Sequence, residues 1–83
     1  MKLAKYVKFR EEKFGGVLFE TRSEKVFTLN PTATAVVREI QAGSAAPDIP
    51  ALLKARYRGE GDAIEREAQA FIAELRQKGL VED

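Results

Sequence analysis

The sequence predicts an α+β domain, winged helix-turn-helix-like, with a three-stranded antiparallel N-terminal sheet followed by three helices. Apolar residues recur at strand spacing before position 30 and at helical spacing after it. A chain of 83 residues is the size of one domain, which we expect to span residues 1–83.

Two short segments near the N-terminus predict the first two strands. Val7 and Phe9 alternate with Lys8 and Arg10, which is the period of a strand with one buried face. After a turn that contains glycine, Gly16–Glu20 repeats this alternation. We therefore expect the two segments to lie side by side in a small meander.

The third strand, Lys25–Leu29, follows a short polar connection and leads directly into a helix. Its side chains alternate, so that Phe27 and Leu29 share one face while Val26 and Thr28 share the opposite one. Because this strand is the last of the meander, one of its edges is expected to lack a partner. A free edge can accept a peptide as an added strand, or it can be a plain edge protected by its lysine.

The first helix is predicted to run from Pro31 to about Ala42. Asn30 is a favoured N-cap, proline is favoured at the first helical position, and Gly43 is a typical residue for the end of a helix. Its core-facing stripe repeats at helical spacing and consists of Ala33, Val36, Val37 and Ile40.

The second helix is predicted to begin after Asp48, which is a suitable N-cap. Its inward-facing residues are expected to be Ile49, Leu52, Leu53 and Tyr57. The third helix is predicted from Asp62 to Lys78, because Asp62 and Glu65 form a capping-box pattern and Gly79 sits where a left-handed residue ends a helix. Its core stripe consists of Ile64, Ala68, Phe71, Ile72 and Leu75.

Composition argues against several classes of function. The chain contains no cysteine and no histidine, which removes thiolate and imidazole catalysis and the commonest ligands of structural zinc. Fourteen basic and thirteen acidic residues give a net charge of +1, and no apolar run is long enough to span a membrane. We therefore expect a cytoplasmic protein that is not an enzyme and that uses no metal and no cofactor.

Charge also weighs against a nucleic-acid partner. Between residues 62 and 78 the third helix carries four acidic and three basic side chains, whereas a helix that reads DNA normally carries an excess of positive charge. The short basic cluster Lys54, Arg56 and Arg58 is typical of a solvated helix end. A winged-helix DNA-binding regulator and a small dimerisation domain, acting as a homodimer, remain the alternatives to a peptide-binding module.

Several stretches resemble the PqqD family of small recognition domains, which serve ribosomally made, post-translationally modified peptides. The stretches that carry the resemblance are Phe19, Val26–Ala33, Ala55–Tyr57, Phe71–Arg76 and Gly79–Val81. The resemblance implies a non-catalytic peptide chaperone that binds the leader of a precursor peptide and presents it to a radical SAM modifying enzyme. Pyrroloquinoline quinone biosynthesis is one of several pathways in which such a chaperone acts.

The resemblance also implies where the leader peptide binds. The leader would be added as a strand to the third strand and would pack into a groove against the third helix. The implied strand contacts are Lys25, Val26, Phe27, Thr28 and Leu29, and the implied helix contacts are Ala63, Glu67, Ala70, Phe71 and Glu74. The basic cluster Lys54, Arg56 and Arg58 is the expected surface for the partner enzyme, on the ground of its charge.

Overall fold

The computed structural model describes residues 1–57 and 59–82 of the chain. Its strands are β1 (Lys2–Leu3), β2 (Val7–Glu12), β3 (Gly15–Glu20), β4 (Lys25–Leu29) and β5 (Val81–Glu82). The three predicted strands are β2, β3 and β4, and they form one antiparallel sheet in the order β2-β3-β4. The α+β class predicted from the sequence is therefore confirmed.

Three α-helices follow the sheet, as predicted. They are α1 (Pro31–Gln41), α2 (Ile49–Arg56) and α3 (Gly61–Gln77), and a short 3₁₀ turn (Ala46–Asp48) precedes α2. The core lies between the helices and the inner face of the sheet, and its largest fully buried side chains include Leu18, Ile40, Ile49, Leu53, Leu75 and Leu80. Within the described residues, no helix combines the length and the apolar character needed to cross a membrane.

Two helix boundaries, the start of α1 and the end of α3, agree with the sequence prediction. The Asn30 side-chain oxygen accepts a hydrogen bond from the Ala33 N–H over 2.8 Å, which is the predicted N-cap of α1. Gly79 has a φ of +70°, and the Leu80 N–H donates to the Leu75 carbonyl oxygen over 3.0 Å. This Schellman ending turns the chain sharply after α3 and returns it to the core.

Two predicted side-chain caps are absent, although α2 begins directly after Asp48 as predicted. The side chain of Asp48 makes no capping hydrogen bond to α2, and α3 begins at Gly61 with no side-chain cap at all. Asp62 and Glu65 instead face the Lys54 ammonium of α2, at 2.9 Å and 3.8 Å. Their carboxylates therefore connect α3 to α2 and do not cap α3.

The inward stripe predicted for α2 is partly wrong. Ile49 and Leu53 are fully buried, whereas Leu52 is 39% exposed and Tyr57 is 37% exposed. The buried side chains of α2 are Ile49, Pro50 and Leu53, which span an arc of about 100° on the helix surface. Leu52 lies about 60° beyond the Ile49 end of that arc and is partly exposed to solvent.

The hairpin between β2 and β3 is anchored by a close backbone contact. Gly15 has a φ of +146°, and a Cβ atom at this position would lie 2.1 Å from the Leu29 carbonyl oxygen. Only glycine combines this conformation with so close an approach. The contact fixes the tip of the hairpin against the junction between β4 and α1.

The N-terminus forms a second, two-stranded sheet that the sequence did not reveal. β1 pairs antiparallel with β5, and the Ala4 N–H donates to the Leu80 carbonyl oxygen over 2.9 Å. The Tyr6 hydroxyl donates to the Gly79 carbonyl oxygen over 2.7 Å. Each strand has two residues, too few to show a strand period, and so this pairing of the two ends of the chain has no signal in the sequence.

Candidate functional site

A groove of about 420 Å³ runs between β4 and the C-terminal half of α3. We name it the β4–α3 groove. Its apolar lining consists of Leu18, Phe27, Leu29, Ala33, Phe71, Leu75 and Leu80. Its rim is formed by Val26, Thr28, Asn30, Glu74 and Lys78. An apolar cleft with a few polar groups at its rim is the usual form of a site that binds a peptide or small molecule.

One wall of the groove is an open sheet edge. β4 is the last strand in the order β2-β3-β4, so its outer edge has no strand partner in the described part of the chain. The side chains of Val26 and Thr28 are exposed, while Leu29 is buried. β4 therefore carries one core-facing row of side chains, one solvent-facing row and one row of unpaired backbone groups.

The hydrogen-bond pattern of the sheet decides which β4 residues offer backbone groups at this edge. The Thr21 N–H donates to the Tyr6 carbonyl oxygen over 2.8 Å, which marks that pair as hydrogen-bonded. Because hydrogen-bonded and non-hydrogen-bonded pairs alternate, the register turns the N–H and C=O groups of the odd-numbered β4 residues toward β3. The N–H and C=O groups of Val26 and Thr28 therefore point outward from the sheet.

The α3 wall carries a charge pair at the rim of the groove. The Lys78 ammonium lies 2.7 Å from a Glu74 carboxylate oxygen and 5.2 Å from the centre of the Phe27 ring. The negative face of the ring attracts the ammonium, and the i, i+4 spacing brings the carboxylate to the same side of α3. Both side chains are about half exposed, so the pair contributes little to stability and is free to change partners.

A second contact closes the other end of the groove. The Asn30 amide donates to a Glu67 carboxylate oxygen over 2.8 Å, while its own oxygen caps α1. One side chain thus connects the end of β4, the start of α1 and the middle of α3. This contact adds to the core packing that holds α3 beside the sheet edge.

The structure brings together six of the ten residues predicted to contact a peptide. Val26, Phe27, Thr28, Leu29, Phe71 and Glu74 all line the β4–α3 groove. Lys25 is exposed at the start of β4, outside the lining, and Glu67 is engaged by Asn30. Ala63 and Ala70 are exposed on α3 and do not line the groove.

The sequence prediction omitted several residues that line the groove. Of these, Lys78 is the one whose position could have been predicted from its spacing along the helix. It follows Glu74 by one helical turn, so a position on the same flank of the helix was predictable. The buried residues Leu75 and Leu80 gave no such signal, because a core position and a groove floor have the same apolar pattern.

The basic cluster of α2 is largely engaged inside the domain. The Lys54 ammonium contacts Asp62 at 2.9 Å, and this hydrogen bond raises the pKa of Lys54 and lowers the pKa of Asp62. Arg56 contacts a Glu39 carboxylate oxygen at 2.7 Å. Arg58 lies outside the described residues. Two of the three expected enzyme-facing charges therefore connect α2 to its neighbouring helices.

Glu39 is held in its charged form by two donors. The Ser44 hydroxyl donates to one carboxylate oxygen over 2.8 Å, and Arg56 donates to the other over 2.7 Å. The hydroxyl, followed by the guanidinium, lowers the pKa of Glu39 below its ordinary value. The arrangement secures the loop after α1 and engages both oxygens of this carboxylate inside the domain.

Comparison with known proteins gives one family and two similar structures. The family model described as Coenzyme PQQ synthesis protein D (PqqD) matches residues 15–81. A structure of TbiB1 in complex with the TbiA(beta) leader peptide is 22% identical, with a TM-score of 0.82 and coverage of 99% of this chain and 95% of the other. A lasso peptide synthetase B1 complexed with the leader peptide is 26% identical, with a TM-score of 0.79 and coverage of 99% and 96%. No curated protein matches the sequence as a relative.

Proposed function

The chain belongs to the PqqD family, and from this premise we propose that it is a non-catalytic chaperone for the leader of a ribosomally made precursor peptide. The observation that carries the proposal is the open β4 edge with an apolar groove beside it. Two proteins of similar fold have been solved with leader peptides bound, which supports the same class of ligand here. We propose that residues 1–83 act as a single recognition domain.

The β4 edge suits a peptide that binds as an added strand. The outward N–H and C=O groups of Val26 and Thr28 offer four hydrogen-bonding groups to a neighbouring strand. Side chains of an extended peptide alternate, so every second one would enter the β4–α3 groove over Phe27 and Phe71. Backbone bonds would thus supply sequence-independent affinity, and the groove would supply selectivity.

The helix side of the binding site is proposed in two parts. Phe71 and Glu74 would contact the peptide directly, because they line the groove. Ala63, Glu67 and Ala70 lie on the same stripe of α3, at i+4 and i+3 spacing, and would contact a peptide that continues beyond the groove. Lys25, at the start of β4, would meet the other end of the bound segment.

The bound leader would then be delivered to a modifying enzyme, which we propose is a cytoplasmic radical SAM enzyme. Holding the precursor near that enzyme raises its effective concentration and replaces a rare encounter between two free molecules. The chaperone needs no metal or cofactor of its own for this task. Its contribution is the position of the peptide.

An NMR titration tests the proposal. Synthetic leaders of candidate precursor peptides, chosen from short open reading frames found near the gene for this chain, would be added to ¹⁵N-labelled protein, with scrambled leaders as controls. We expect the largest shifts at the amides of Val26 and Thr28 and along the Phe71–Glu74 part of α3. If the cognate leader, like the scrambled peptide, shifted no amide signal at high concentration, the presenting role would be excluded. Sedimentation at several protein concentrations would reveal a homodimer instead.

A further inference from the structure

The solvent side of the β2-β3-β4 sheet carries a second apolar depression, which we name the outer sheet face. Its residues alternate with those that face the core, and they are Lys8, Arg10, Glu12, Val17, Phe19, Val26 and Thr28. A cavity of about 390 Å³ lies on this face. No helix of the described residues covers it, because α1 packs against the opposite side of the sheet and α2 and α3 pack against α1 and each other.

The centre of the outer sheet face is apolar. Phe19 pairs with Val26 across the strands, and Val17 lies beside them. Val26 is 59% exposed, the highest value among the large apolar side chains of the described residues. Val17, Phe19 and Val26 thus form one contiguous apolar patch that is open to solvent.

The rim of this face is basic. Arg10 is paired with Glu12 at 2.8 Å, and their charges cancel. Lys8 has no carboxylate partner within residues 1–57 and 59–82, and it leaves one positive charge beside the apolar centre. A complementary partner would therefore present an apolar side chain next to an acidic group.

The size of the face argues against a second copy of this chain as the occupant. Three strands of five or six residues, about 4.8 Å apart and rising about 3.3 Å per residue, give a footprint of roughly 260 Å². A stable dimer of standard size buries about 800 Å² on each partner. The outer sheet face by itself fits a transient contact that needs additional surface.

A peptide bound at the β4 edge would enlarge this face. Val26 lines both the β4–α3 groove and the cavity of the outer sheet face, so the two sites share a boundary. A peptide strand added beside β4 would extend the outer sheet face by one strand, about a third of its width. Every second side chain of that peptide would then stand in the same plane as Phe19 and Val26.

We infer that the outer sheet face, completed by the bound peptide strand, is the surface on which the peptide-modifying enzyme docks. The inference rests on the proposed function and adds the partner-binding surface to it. It replaces the basic cluster of α2 in that role, since Lys54 and Arg56 are engaged by carboxylates of this domain. An enzyme that contacts both the outer sheet face and the bound peptide strand would bind the peptide-loaded chaperone more tightly than the empty one.

Two variants test this surface without touching the groove. Phe19→Thr removes the apolar centre while keeping a residue that favours strands, and Lys8→Glu reverses the unpaired charge. Leu52→Gln on α2 is the matched control, because it removes an exposed apolar side chain at a distance from the sheet. The probes are a purified peptide-modifying enzyme, identified by searching the genes near the gene for this chain, and a fluorescein-labelled synthetic leader.

We expect Phe19→Thr and Lys8→Glu to weaken enzyme binding to the loaded protein at least tenfold, with leader affinity unchanged, and Leu52→Gln to alter neither. Unchanged enzyme binding in both variants, or equal binding of the empty and loaded wild type, would overturn the inference while leader binding still supports the proposed function. Self-association of the wild type that Phe19→Thr abolishes would assign the face to a second copy. Failure of the wild type to bind the leader would refute the proposed function itself.

Discussion

A proline at position 28 separates a strand-addition site from a simple apolar pocket. The Thr28 N–H points outward from the sheet, so proline removes no hydrogen bond between β3 and β4. Proline is tolerated on edge strands in this orientation. The substitution should therefore leave the fold intact while it deletes a donor that only an added strand would use.

The expected loss can be worked from the edge itself. Thr28→Pro removes one of the two outward N–H groups of β4, and its ring occupies the space of a neighbouring peptide carbonyl. If two hydrogen bonds to the peptide are lost at about 1 kcal/mol each, binding weakens by about 2 kcal/mol. That free energy corresponds to a roughly 30-fold higher dissociation constant.

Fluorescence anisotropy with the labelled leader measures this difference, and circular dichroism verifies the fold. Thr28→Val is the control, since it keeps the N–H and nearly the same shape while it removes the hydroxyl group. We expect Thr28→Val to bind the leader within a factor of about two of the wild type. If a folded Thr28→Pro protein bound the leader as tightly as Thr28→Val, the peptide would not be adding a strand at β4.

Three further predictions concern the fold and its dependence on pH. Gly15→Ala should lower the free energy of unfolding in urea by about 3 kcal/mol or more, because its Cβ would meet a backbone oxygen at 2.1 Å. The control Gly43→Ala has open space around its Cβ and should lower that free energy by only about 1 kcal/mol. Tyr6→Phe should lose about 1 kcal/mol with its hydrogen bond to Gly79, and equal unfolding midpoints would contradict that role. The pKa of Glu39 is lowered in the folded state, so the charged carboxylate stabilises the fold fully above pH 4.5. This stabilisation is lost as the pH falls through the folded-state pKa, and the difference in melting temperature between wild type and Glu39→Gln should shrink over the same range.

The sequence predicted the sheet and the start of the first helix because each has a strong local cause. β4 was predicted with its observed bounds, Lys25–Leu29, since alternating side chains are interrupted at once by Asn30-Pro31. The Gly79 ending was predicted for the same reason, because a left-handed residue after an apolar stripe has few other uses. These signals are read from neighbouring residues and do not require the tertiary structure.

What the sequence could not predict depends on partners far away in the chain. Asp62 has the pattern of a helix cap, yet Lys54 on another helix takes its carboxylate. Tyr6 and Gly79 are at opposite ends of the chain and meet only because β1 pairs with β5. The groove shares this property, since Phe27 and Phe71 face each other only after α3 has packed along the sheet.

These contacts between distant parts of the chain preorganise the β4–α3 groove for a ligand. The Asn30–Glu67 hydrogen bond holds α3 at one end of the groove, and the Tyr6–Gly79 hydrogen bond holds the turn that ends α3 at the other. Because these two contacts hold the C-terminal half of α3 in place, a peptide would have to order less of the groove as it binds, which lowers the entropic cost of binding. The Lys78 ammonium over the Phe27 ring is the exception, because it is a half-exposed group that a peptide can displace without disturbing either end. The frame of the groove is thus held by contacts within the domain, while Lys78 at its rim is free to change partners.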